Sequence, residues 1–94
     1  MAMQKISDTE AADEGGVRIT FNQHALIYMQ GTRYLTFPYD RQPDGEMRIY
    51  LTKMGTWMEN GQPCESEGTM NVARMRARIA EALVLLGRKH SFDR

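Results

Sequence analysis

The sequence predicts an α+β domain: an antiparallel meander of four to five strands followed by one C-terminal α-helix packed on the apolar face of the sheet. Three observations predict it. From residue 17 to residue 58, short runs alternate apolar and polar side chains with period two and are rich in β-branched and aromatic types. Turn-forming residues separate those runs at hairpin spacing. Beyond residue 71 the apolar period lengthens to three and four, the spacing of a helix face.

"VRITF", residues 17–21, is the first strand, and Asn22-Gln23 offers a turn into the second, "HALIYMQ", residues 24–30. Gly31-Thr32 then turns the chain into "RYLTFPY", where Pro38 lacks a donor and predicts a strand end or an edge. "DRQPDG", residues 40–45, carries Asp-Gly directly before a new alternating run and reads as a hairpin loop. "EMRIYLTKM" is the fourth strand and "TWM" a short fifth. "ENGQPCESEG", residues 59–68, has no period and reads as a loop.

Val72, Met75, Ile79, Leu83 and Leu86 form the apolar stripe of the helix. Ser66 or Thr69 is a candidate cap, Gly87 suits the position past the end, and Arg88 and Lys89 favour the negative end of the dipole. Residues 17–87 make the single domain. Residues 1–16, "MAMQKISDTEAADEGG", show no apolar periodicity and are expected to form a disordered arm, with Met1-Ala2-Met3 a start plus added residues outside the fold. Residues 88–94 are expected to fray as a basic tail.

The meander sorts side chains between two faces. Val17, Ile19, Phe21, Leu35, Phe37, Met47, Ile49 and Leu51 belong toward the helix. The second strand is apolar on both sides, so either Leu26 and Tyr28 or Ala25, Ile27 and Met29 face inward. The opposite face carries Arg18, Thr20, Tyr34, Thr36, Arg48, Tyr50 and Thr52.

Composition narrows the function. At 94 residues the chain holds one small core, and 41% apolar with 26% charged residues is ordinary for a globular domain. Twelve basic and twelve acidic residues cancel, although acids gather at the start and bases at the end. The single cysteine, Cys64, has only His24 and His90 as candidate bases, far apart in sequence, so neither a nucleophile pair nor a metal site assembles. Glu65 and Glu67 lie in a polar loop with nothing to raise a pKa, and "DEGGVR" lacks the glycine spacing of a nucleotide fingerprint. A non-catalytic protein without a cofactor is expected. With no apolar run of spanning length, a cytoplasmic location is expected.

Tyrosine and arginine on the outer face suit protein contacts, and the same types stack on bases and pair with phosphates. They serve equally as a solvated sheet surface whose tyrosines cover cross-strand neighbours. On the helix, Arg74 and Arg78 share a face but Arg76 does not, which weakens a nucleic-acid stripe. Trp57 follows the last strand and is expected to cap one end of the core.

The order of parts resembles a small family of bacterial immunity proteins that accompany polymorphic or contact-dependent growth-inhibition toxins. The resemblance runs over residues 17–86: "VRITF", "HALIYMQG", "RYLTFPY", the Gly45-Glu46 strand entry, "MRIYLTKM", Trp57, Pro63 and "MRARIAEALVLL". It implies a non-catalytic protein that binds and blocks a cognate toxin domain, often a nuclease. An inhibitor of a nuclease presents acids to a basic cleft. The candidate partner-binding residues are therefore Asp40, Asp44 and Glu46 around the hairpin loop, Glu59, Glu65 and Glu67 after Trp57, and the aromatics Tyr34, Tyr39, Tyr50 and Trp57. The alternative is a single-stranded RNA-binding module using Arg18, Arg33 and Arg48, which the neutral charge disfavours.

Overall fold

Alternation along "VRITF", "ALIYMQ" and "RYLTFPYDR" gives three central strands, to which every other strand adds at an edge. The computed structural model describes residues 3–53, 55–64 and 72–93. Its strands are β1 Gln4–Ser7, β2 Glu10–Ala12, β3 Val17–Phe21, β4 Ala25–Gln30, β5 Arg33–Arg41, β6 Met47–Ile49, β7 Met58–Glu59, β8 Gln62–Pro63 and β9 His90–Phe92. One α-helix, α1 Val72–Leu85, precedes β9. The sheet runs β1-β2-β3-β4-β5-β6-β9, and β7 with β8 joins the start of β5. Among the described residues all pairings are antiparallel except β6 with β9. The fold is α+β as the sequence predicts, with more strands than four to five.

All eight residues assigned to the helix-facing side are buried, and Met75, Ile79, Ala82 and Leu83 of α1, with Leu86 just past its end, close over them. In β4 the ambiguity resolves toward Leu26 and Tyr28, at 0% and 1% exposure, which leaves Ala25, Ile27 and Met29 on the outer face. Gly87 ends the helix at φ 71°, with Arg88 N–H donating to Leu83 O at 2.8 Å and Gly87 N–H to Val84 O at 3.0 Å. This pair of hydrogen bonds satisfies two of the orphaned terminal carbonyls and requires the left-handed conformation that glycine adopts without strain. Ser66 and Thr69, the candidate caps at the other end, lie outside the described residues.

Residues 4–12 are not a disordered arm. They form a hairpin, β1 with β2, that extends the sheet through Ala11 opposite Ile19. Ala11 is fully buried and Met3, excluded from the fold on sequence grounds, is 6% exposed. Met3 N–H donates to Glu81 Oε2 on α1 at 2.9 Å. Every β1 side chain is exposed, so the segment carries no alternation for a pattern to reveal. It is held by ladder bonds rather than by an apolar stripe.

The fourth strand is shorter than expected, since β6 stops at Ile49 and residues Leu51–Lys53 form a 3₁₀ turn. Pro38 supplies the reason. Tyr50 N–H donates to Pro38 O at 3.0 Å, but the proline has no N–H to return the second bond of that pair, and the ladder ends. β5 itself continues through Pro38 to Arg41, because the proline lies where its partner changes from β4 to β6. Within the expected loop after Trp57, Asn60 and Gly61 adopt φ 54° and 77° and join β7 to β8 as a two-residue hairpin.

His90–Phe92 is a strand, not part of a frayed tail. It pairs in parallel with β6, and Asp93 N–H donates to Ile49 O at 3.0 Å. Phe92 is half-buried against the core, with the Arg76 guanidinium 5.0 Å from its ring centre.

Candidate partner-binding site

β5 distributes the candidate residues by parity. Leu35, Phe37 and Tyr39 point into the core, while Tyr34, Thr36, Pro38 and Asp40 lie on the outer face. Tyr39 therefore leaves the candidate surface: it is 7% exposed, its ring stands edge-on to Phe21 at 6.4 Å, and its hydroxyl donates to Asn22 O. Its position two residues after Phe37 already signals the inner face.

The remaining candidates fall into two groups at opposite ends of β5, about 26 Å apart at about 3.3 Å per residue. At the start, Tyr34 pairs across to Met29 on one side and Met58 on the other. Arg33 stands opposite Glu59, with Nε 3.9 Å from Oε1, and the Thr32 hydroxyl donates to Glu59 Oε2. Trp57 turns inward, edge-on to Tyr28 at 6.4 Å and packed against the core, as its expected capping role requires. Its buried Nε1 has no acceptor among the described residues. It contributes packing more than contact surface.

At the far end, the Tyr50 hydroxyl donates to Asp40 Oδ2 at 2.6 Å, and that hydrogen bond to a carboxylate raises the tyrosine pKa above its ordinary value. The Lys53 ammonium sits 5.1 Å from the Tyr50 ring centre. Asp44 accepts Glu46 N–H at 3.0 Å and the Lys89 ammonium at 3.0 Å. The backbone bond first, and the lysine second, hold its carboxyl below the usual range. Glu46 accepts the Ser91 hydroxyl at 3.1 Å. Sequence reasoning missed Lys89, Ser91 and Asp93 here, because a tail read as frayed offers no partners. Asp93 accepts Leu51 N–H at 2.6 Å and the Thr52 hydroxyl, and the Thr52 bond leads in depressing its pKa. Glu65 and Glu67 lie outside the described residues.

Between the two ends the outer face is largely apolar, with Thr20 and Thr36 flanking Ile27 across the ladders. Ala25, Ile27, Met29, Tyr34, Pro38 and Met58 are all half-buried there. Two of the arginines that a nucleic-acid surface needs stand beside acids, Arg18 with Nε 2.9 Å from Glu10 Oε2 on the outer face and Arg33 with Nε 3.9 Å from Glu59 Oε1 on the side of Leu35, while Arg48 lies across the ladder from Asp40. On the other side of the molecule a groove of about 250 Å³ runs between α1 and the N-terminal segment, where Arg74 and Arg78 alternate with Asp13 and Glu81.

No protein-family model, curated protein or solved structure matches this chain. Among the described residues no group of three or more His, Cys, Asp or Glu side chains is placed to hold a metal ion, and no helix is long and apolar enough to cross a membrane.

Proposed function

We propose that this chain is a non-catalytic inhibitor that binds a protein partner through the outer face of the sheet, the partner being a cognate toxin domain of the nuclease kind. The observation that carries the protein-binding part is the charge balance of that face. On that face Arg18 is paired with Glu10 and Arg48 lies across the ladder from Asp40, around a half-buried centre of Ile27, Met29, Tyr34 and Pro38. A polyanion gains little from a cation that is already neutralised, whereas an apolar centre with a charged rim suits a protein interface. The toxin as partner rests on the resemblance of element order to immunity proteins. Asp40, Asp44, Glu46 and Glu59 are the acids that would exchange their internal partners for a basic cleft, and Tyr34 and Tyr50 the aromatic contacts.

The test is co-purification with the C-terminal domain of a toxin encoded beside this chain, alongside binding to mixed single-stranded RNA at physiological salt. Met29→Asp and Tyr34→Ala are expected to weaken the protein complex at least tenfold without unfolding the chain. Sub-micromolar RNA binding with no toxin complex overturns the proposal.

A further inference from the structure

The acids Asp44 and Glu46 are already occupied in the free chain, by the chain itself. Lys89 and Ser91 reach them from the C-terminal segment, while Lys89 O accepts Met47 N–H at 2.9 Å and Asp93 N–H donates to Ile49 O, so backbone and side chains of residues 89–93 together fill the edge of β6. We propose that β9 is an intramolecular stand-in for the partner: the β6 edge is a docking site for a basic extended segment, and the chain's own residues 88–93 hold it until that segment displaces them. This deepens the reading above and rests on it for the nature of the partner.

The chemistry of the stand-in describes the ligand. Lys89 meets Asp44 and Ser91 meets Glu46 on one side of the strand. His90 and Phe92 stack edge-on at 5.4 Å on the other, with Arg76 over Phe92. An incoming strand thus needs a lysine or arginine, a small hydroxyl two residues on, and an aromatic immediately after it. Strand addition at a sheet edge uses main-chain bonds for affinity and alternate side chains for specificity.

Three features make β9 replaceable. It is three residues long, and all three are only half-buried. Its ladder is the sole parallel one among the described residues, a geometry slightly less stable per residue. The ion pair that fastens it is exposed, with side-chain exposures of 64% for Lys89 and 57% for Asp44, and surface pairs hold weakly.

The experiment uses the full chain and a fluorescein-labelled peptide of residues 88–93 as the probe. Lys89→Glu, which sets like charges against Asp44, is expected to bind the peptide at least tenfold more tightly than the parent, because the resident strand is loosened. A second variant, Arg48→Cys with Ser91→Cys in a Cys64→Ser background, joins two residues that face each other in the β6–β9 ladder. When oxidised it is expected to lose peptide binding at least tenfold, and reduction is expected to restore it. Equal binding to the oxidised and reduced forms, or no binding to the Lys89→Glu chain, overturns the proposal. Neither result touches the outer-face reading, which is measured at Met29 and Tyr34.

Discussion

Tyr28, 1% exposed at the centre of β4, accepts a hydrogen bond of 3.2 Å at its hydroxyl from Arg78 Nη1 on α1, which couples the middle of the sheet to the helix. The two partners are unequal. Arg78 is half-buried and returns to water readily, while the tyrosine oxygen is enclosed.

That inequality predicts an asymmetric cost. Arg78→Met keeps the aliphatic length but strips the hydroxyl of its partner, and is expected to cost about 1–3 kcal/mol. Tyr28→Phe removes both the buried oxygen and its need, and is expected to cost under about 1 kcal/mol. Urea titration of the two variants measures the difference. Equal losses would show that water reaches the hydroxyl.

The N-terminal hairpin predicts a second outcome. Ala11 is fully buried opposite Ile19, and Met3 anchors to Glu81, so removing residues 1–15 strips the sheet of a paired edge. The thermal midpoint is expected to fall by several degrees, since about 1 kcal/mol shifts a domain of this size by about 4–8 °C. Ala11→Asp in the full chain is expected to do the same by burying an unpaired charge. An unchanged midpoint in both would return the segment to solvent.

The contrast between the two ends of the chain and its middle shows what a pattern carries. Val17, Ile19 and Phe21 announce their strand because one face is buried and the other wet. β1 is exposed at every position and β9 half-buried at every position, so neither alternates, and each owes its place to backbone pairing with a neighbour that the sequence does not name. The ambiguous phase of β4 has the same origin, for Ile27 and Met29 are half-buried on the outer face and look like core. That concealed the apolar centre of the candidate site. The Asn60-Gly61 hairpin, by contrast, was legible: Asn-Gly is the strongest short turn signal, and only the lack of alternation around it argued for a loop. Tyr39 was legible too, by parity from Phe37. Acids were easy to find and hard to assign, because Asp44 and Glu46 take their partners from residues over forty positions away.

Helix packing gives a third prediction. Ile79 is fully buried between Met75 and Leu83 on the inward face of α1. Ile79→Ala is expected to cost about 2–5 kcal/mol, through lost transfer energy and the cavity left behind. Denaturant titration measures it, and a loss under about 1 kcal/mol would mean that the helix does not close the core at this point.

Acid predicts the behaviour of the C-terminal strand. Asp93, through the Thr52 hydroxyl first, and Asp44, through Glu46 N–H first, both have carboxyls depressed in the fold. A depressed carboxyl stabilises the fold above its unfolded pKa of about 3.9 and loses that contribution as pH falls through the lower folded value. Lys89 is raised by its bond to Asp44, so its share persists at all pH below about 10.4 and vanishes only above that. The window of loss on the acid side therefore lies below about pH 4 and belongs to the two aspartates. Amide chemical shifts of Ser91 and Phe92, followed from about pH 7 to about pH 2, are expected to move toward unpaired values in that window before those of β3 to β5 change. Asp93→Asn, which removes one of the two depressed carboxyls, is expected to loosen the strand already at neutral pH and to shrink the acid-dependent change. If β9 shifts instead follow the global transition of the sheet, Phe92 packing rather than the carboxylates holds the strand in place.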